Sequence, residues 1–265
     1  MLKVETSEIC PHDFVSAAWT EFFVSRNRGV SIETNLGWLR NMTGFYTGLR
    51  RHGRLIAGLV LRHLQDPMSL RQAGAIGLVW VAPQERGQGY SSMLLEPTIA
   101  EARRRGMNDL LLWTGKPAVY EKVGFKGADN ALLGPVTAQH LAPELGKELS
   151  REVWPGRGSA RGLPAFASSG ARWISAGATA TTLETAAGAV LAEWTGSDAD
   201  VARLLDACMP PVWSLNALTG DTLPATLVAS RWRVDLAPIQ LRMVLPLGPE
   251  RPEVDAYRLR LLDRI

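Results

Sequence analysis

VWVAPQERGQGYSSML, residues Val79–Leu94, carries an apolar strand into a glycine-containing loop that opens a helix. Upstream, GAIGLVWV (Gly74–Val81) is apolar throughout, as expected of a central strand covered on both faces, and Pro83 ends it. Downstream, Tyr90–Arg105 reads as a helix with Met93, Leu94 and Ile99 near one face, irregular at Pro97 and broken by Gly106. The first N–H groups of a helix have no intrahelical acceptor, and the helix dipole is positive there. Main-chain donors from Gly87 to Ser91 therefore suit an anionic diphosphate, and glycine lets it approach. Two common phosphate motifs fail: Gly87-x-Gly89-x-x-Ser92 lacks a third glycine, and no G-x-x-x-x-G-K-[ST] occurs.

Before this stretch, Leu2–Thr6 reads as a strand, His12–Phe23 and Glu33–Met42 as helical, and Phe45–Leu64 as two strands around a His52-Gly53 hairpin turn. After it come a strand at Asp109–Trp113, a short helix at Pro117–Lys122 and a further strand from Phe125. The segment GRGSARGLPAFASSG (156–170) has no sustained period and reads as a connection. Residues 1–150 are thus expected to form one domain, 151–170 a linker and 171–265 a second domain. The element order returns there, displaced by roughly 105 residues. Ala187–Trp194 answers to Gly74–Val81, Asp198–Cys208 to Tyr90–Arg105, Val212–Leu215 to Asp109–Trp113 and Leu223–Ser230 to Tyr120–Phe125. Pro238–Leu245 is the expected closing strand of the second domain.

The pattern V-x-V-x-P-x-x-R-G-x-G at Val79–Gly89, followed by Tyr120-Glu121-Lys122-Val123-Gly124-Phe125, resembles the GCN5-related N-acetyltransferase (GNAT) family. The family's Q/R-x-x-G-x-G/A signature falls on Arg86, Gly89 and Ser91, with Ser91 standing where Gly or Ala is usual. The resemblance implies an α/β (α+β) fold with a central mixed, mostly antiparallel sheet flanked by helices. Residues 171–265 resemble, more faintly, the degenerate GNAT-like domain of a two-domain branch. Thr195-Gly196-Ser197-Asp198 replaces the arginine–glycine loop there, and its acidic residue would repel a diphosphate, so one acyl-CoA site is expected.

The resemblance further implies acetyl transfer from acetyl-CoA to a primary amine of a small molecule or amino acid within a ternary complex. Its cofactor contacts are Val79, Trp80 (pointing away from the pantetheine arm), Val81, Arg86, Gly87, Gln88, Gly89, Tyr90 and Ser91. A backbone N–H near Val81 would face the acetyl oxygen, and Tyr120 holds the place of the acid that protonates the departing thiolate. An unperturbed phenol titrates near 10 and a thiol near 8.5, so the phenol is the protonated partner at neutral pH. An alkylamine must lose a proton to attack, yet Gly74–Val81 contains no carboxylate. Glu33, His63 and Asp66 border the expected acceptor cleft, but a solvated role is commoner for each, and the base is unassigned. Arg103–Arg105 are read as solvated partners of the helix dipole, and most of the nine tryptophans as core or its supports.

Composition fits this frame. Hydrophobic residues are 46% and charged residues 21% of 265, enough for a sizeable core. The net charge of +3 falls wholly within residues 1–150, too slight for a nucleic-acid or membrane footprint but suited to a small anion. Without a membrane span or secretory pattern, the expected location is cytoplasmic, as a monomer or homodimer. Cys10 and Cys208 stand alone as expected buried thiols, without spacing for a disulfide framework or zinc site, so no metal is expected. The missing strand carboxylate and Ser91 also fit a non-catalytic acyl-CoA-binding sensor, and the sequence equally admits a protein-modifying acetyltransferase.

Overall fold

The computed structural model describes residues 1–65, 71–139, 149–248 and 258–264. In chain order they form β1 (Leu2–Ser7), α1 (His12–Phe22), α2 (Ile32–Leu36), β2 (Gly44–Arg51), β3 (Arg54–Gln65), β4 (Gln72–Val81), α3 (Tyr90–Arg104), β5 (Asp109–Trp113), α4 (Pro117–Glu121), β6 (Lys126–Gly127) and β7 (Ala131–Ala138). There follow β8 (Ser150–Trp154), β9 (Ala167–Ile174), β10 (Ala178–Thr185), β11 (Gly188–Gly196), α5 (Asp198–Cys208), β12 (Val212–Leu218), α6 (Leu223–Ala229), β13 (Trp232–Val234), β14 (Ala237–Pro238) and β15 (Arg242–Pro246).

Local chemistry accounts for the elements that carry the site. His52 and Gly53 take φ of 50° and 80°, the two left-handed positions of a tight hairpin, and fold β3 onto β2. Leu94, Leu95, Ile99 and Ala102 form the buried face of α3, which runs unbroken through Pro97. They pack on Phe45, Ile56, Leu59, Leu61 and Leu110 of the sheet. Each large side chain buried this way contributes about 1.5–3 kcal/mol. The opposite face is covered by α1, α2 and the turn after α2 through Phe14, Ala18, Leu36 and Trp38, against Tyr46 and Val60. A second core joins β10–β12 to α5 and α6.

Two sheets result, with orders β1-β2-β3-β4-β5-β15-β6 and β13-β7-β12-β11-β10-β9-β8, β14 also pairing with β7. Among the described strands the parallel pairs are β4 with β5 and β11 with β12, so both sheets are mixed and mostly antiparallel. The sequence repeat is real at this level: β4-α3-β5-α4-β6 returns as β11-α5-β12-α6-β13.

The expected division at 150–170 is crossed in both directions. β7, expected in the first domain, lies between β12 and β13, and β15, expected to close the second, lies between β5 and β6. Each repeat keeps the short strand that follows its last helix, β6 or β13, and lends a later one, β7 or β15, to the other sheet. An apolar run fixes that a strand forms, but not which open edge receives it. The expected linker is also shorter than 151–170, since β8 and the start of β9 occupy its ends and leave 155–166 as the irregular part.

Candidate active site

The site begins where the central strands of the first sheet separate. β4 and β5 pair only from Ala73 with Asp109 to Ala75 with Leu111. Beyond that, Leu78 adopts φ 49°, and the register with β3 steps from Gly77–Val60 to Trp80–Gly58, so that Leu78 and Val79 face one residue. This is a β-bulge, which bends a strand and ends its regular pairing. The Ala82 N–H donates to the Ile56 carbonyl at 2.8 Å. Strand alternation therefore turns the Val81 N–H and carbonyl away from β3, toward the gap. That carbonyl accepts a hydrogen bond from Arg86 Nε at 3.2 Å. Val79 and Val81 pack against the α3 core, whereas Leu78 and Trp80 pack on the α1/α2 side.

At the end of β4, residues 86–89 are exposed between two buried anchors, Glu85 and Tyr90. The Glu85 carboxylate accepts from Arg51 through both oxygens at 3.0 Å and from Arg54 at 3.0 Å, tying the loop to the β2–β3 hairpin. The Tyr90 hydroxyl accepts a hydrogen bond from Arg51, so the side chain of Tyr90 belongs to the core while its main-chain N–H stays at the helix start. Arg86 pairs with Glu21 of α1 at 2.8 Å. Gly87 and Gly89 have φ of 81° and 75°, and a Cβ at either would meet nothing within 4 Å. No side chain caps α3, whose N-cap is Gly89 itself. Open space, left-handed glycines and an uncapped helix start together fit a diphosphate.

The corresponding turn of the second sheet is closed. Ser197 caps α5 by accepting from the Asp200 N–H at 3.2 Å, and Asp198 and Asp200 fill the first turn. Asp198 in turn accepts from Thr222.

A cavity of about 370 Å³ opens at the strand gap. Gly77, Leu78, Val79, Leu112, Trp113 and Tyr120 line it on the sheet side, and Phe22, Phe23, Leu36 and Trp38 from the N-terminal helices. The segment 162–166 and residues Leu262 and Arg264 close it. That segment is fixed on α2: the Leu163 N–H donates to the Thr34 carbonyl at 3.0 Å, and Asn35 Nδ2 donates to the Leu163 carbonyl at 2.8 Å. Tyr120 stands edge-on to Phe125, 6.1 Å between ring centroids, and burial raises its phenol above the ordinary value.

The structure thus joins Val79 and Tyr120 at one cavity, with the loop Arg86–Ser91 at the end of the same strand. Among the described residues the lining holds no carboxylate and no histidine. Glu33 is exposed and pairs with Arg40 at 2.8 Å, His63 is not part of the lining, and Asp66 lies outside the described residues. Of the arginines late in α3, Arg104 and Arg105 bind Glu101 at 2.6 and 2.7 Å, and Arg105 also covers Phe45. Both cysteines are half-buried rather than fully buried, and desolvation pushes each thiol up to about 12. No group of residues suited to a metal and no membrane-length apolar helix occurs among the described residues.

Sequence reasoning missed Glu85, although it sits inside the quoted motif; a lone acid in a loop reads as solvated, and only the hairpin's Arg51 and Arg54 give it a partner. Arg62 and Arg264 were also missed, being 202 positions apart in the chain.

Residues 12–125 match the model of the acetyltransferase (GNAT) family. A GCN5-related N-acetyltransferase from Kribbella flavida shares 13% identity, with a TM-score of 0.61 over 92% of this chain and 71% of that one. One from Anabaena variabilis shares 11%, with a TM-score of 0.64 over 93% and 73%. A tandem GNAT protein from the clavulanic acid biosynthesis pathway shares 12%, with a TM-score of 0.53 over 95% of this chain and all of that one. At such identities the likeness is one of fold. No curated protein matches by sequence.

Proposed function

We propose that this chain, whose residues 12–125 match the acetyltransferase (GNAT) family model and whose second half repeats the order of elements, is an acetyl-CoA-dependent N-acetyltransferase of small primary amines. The observation that carries the proposal is the shared cavity, where the bulged end of β4 meets Tyr120 at the gap between β4 and β5. Acetyl-CoA would supply the activated acetyl thioester, held by the main-chain N–H groups of Gly87–Ser91, by Arg86, and by the backbone of Val79 and Val81. Gln88 is exposed beside them, while Trp80 and Tyr90 brace the strand and loop from behind.

The reaction is a direct transfer with both substrates bound. As the amine nitrogen–acetyl carbon bond forms, the carbon–sulfur bond breaks; the amine loses one proton and the departing thiolate gains one. The Val81 N–H faces the gap, where it can meet charge developing on the acetyl oxygen. Burial keeps the Tyr120 phenol protonated across the neutral range, as a donor to sulfur must be. With no carboxylate or histidine in the described lining, the amine's proton goes to water.

One acetyl-CoA site per chain is expected, because α3 is left open and α5 is capped. Calorimetric titration of the whole chain tests this. A single site in the micromolar range, about −8 kcal/mol, is the expected result. Two sites would overturn the reading of the second half, and no binding would overturn the acetyltransferase. The second half would act by walling the acceptor cavity, and the expected setting is cytoplasmic.

A further inference from the structure

Two arginines, distant in the chain, line the acceptor cavity, and among the described residues no carboxylate accepts a hydrogen bond from either. Arg62 comes from β3 and is 6% exposed. One of its terminal nitrogens donates to the Asp263 carbonyl at 2.5 Å, its guanidinium lies 5.7 Å over the Trp38 ring, and its buried Nε has no partner. Arg264 comes from the C-terminal segment, donates to Asn216 Oδ1 at 3.2 Å, and likewise has a buried Nε without a partner. Two acids act on them through space, Asp129 on Arg264 and Asp263 on both; Asp129 is held by the Leu241 and Arg242 N–H groups at 2.9 Å, and Asp263 is likewise committed. Its carboxylate accepts from the Arg260 N–H at 3.0 Å and pairs with Arg161 at 3.5 Å, while Arg161 pairs with Glu193 at 2.8 Å. Arg26 adds a third positive charge at the rim.

A guanidinium withdrawn from water without a carboxylate is costly to hold, and burial lowers the pKa of both Arg62 and Arg264. Such a pair is retained at low cost when an anion completes it, and a planar carboxylate matches the guanidinium fork. We infer that the acceptor is a small amino acid whose carboxylate binds Arg62 and Arg264, placing its amine toward Tyr120 and Val79. The same charges disfavour an ammonium nearby, which helps the amine reach its neutral, attacking form in a cavity whose described lining offers no carboxylate or histidine. A polyamine or lysine-rich peptide would bring further positive charge against three arginines.

This inference rests on the acetyltransferase reading, and the test separates the two. The whole chain, saturated with acetyl-CoA, is offered the common amino acids, each beside its carboxamide, with aminoalkyl phosphonates as a second anionic arm, and thiol release is followed. The best amino acid is expected to exceed its amide by at least about tenfold in kcat/KM. Arg62→Gln should bring that ratio near one through KM, and Arg264→Gln is the alternative should the first variant not fold. Amides or alkylamines that serve equally well would overturn the inference, as would a phosphonate preferred tenfold over any carboxylate. If no amine is acetylated, calorimetric binding of the same acids and amides to the CoA-bound chain decides: tenfold tighter acids support it, and equal or absent binding refutes it. Loss of acetyl-CoA binding itself would instead refute the parent reading.

Discussion

Gly89→Ala and Gly106→Ala place the same strain at opposite ends of one helix. Both glycines have φ of 75°, and in both a Cβ would meet nothing within 4 Å. A side chain in the left-handed region costs about 1–2 kcal/mol, and for a chain of this size each kcal/mol lowers Tm by roughly 2–4 °C. Gly89 is also the N-cap of α3, where alanine is a poor residue, so its Tm falls at least as far as that of the Gly106 variant. Acetyl-CoA affinity should separate them. Strain present in both free and bound protein cancels from Kd, whereas a methyl group in the space left for the diphosphate does not. Gly89→Ala is expected to weaken acetyl-CoA by at least about tenfold, which is about 1.4 kcal/mol, with Gly106→Ala unchanged. Calorimetry on both variants, with Tm measured in parallel, provides the check. Equal Kd values in the two, at equal loss of Tm, would refute the assignment of the loop.

Tyr120→Phe should lower kcat by about 10²-fold and leave the acetyl-CoA Kd unchanged; an unaltered kcat would remove the phenol from the reaction. Because burial raises the Tyr120 pKa, its protonated form persists to higher pH than that of a free phenol, and the described lining holds no competing carboxylate or histidine. In the wild-type chain kcat/KM should therefore rise with pH as the amine deprotonates, without a fall below about pH 10, and a fall nearer neutrality would point to a different acid. Residues 1–150 expressed alone should fail to give a cooperative unfolding transition, since they lack β15, whose Met243 (2% exposed) is part of the first core. A sharp transition with wild-type acetyl-CoA affinity would show the first repeat to be self-sufficient.

What the sequence made legible was whatever depends on near neighbours. α5 spans Asp198–Cys208 as its cap and period require, β5 spans Asp109–Trp113, and α3 begins at Tyr90 because Gly89 can take the left-handed turn before it. β9 and β10 went unread because their small residues and threonines, as in ASSGARWI and ATATTLET, carry little hydrophobic contrast. The destinations of β7 and β15 were unreadable for another reason. Their runs fit either open edge, and the choice depends on which neighbour has been left unpaired. The loop of the candidate site was legible for the same local reasons as α3. Its anchor was not, since Glu85 finds Arg51 and Arg54 only after the hairpin has folded.

The exchange of strands bears on how such a site comes to hold its acceptor. β15 fills the place between β5 and β6, so the second repeat is built into the first sheet rather than set beside it. The segment 162–166 is pinned on α2, and Arg62 of β3 bonds the carbonyl of Asp263 in the last turn. The elements of the proposed transfer site, the bulged β4 and α4, are local to the first repeat. The cover and the second arginine arrive from more than forty residues farther along. A chain arranged this way can keep its donor loop and vary its acceptor by changing only the connector and the C-terminal segment. On the proposed reading, the second repeat, with its helix start closed by Ser197 and two aspartates, serves as the frame that carries those two pieces to the cavity.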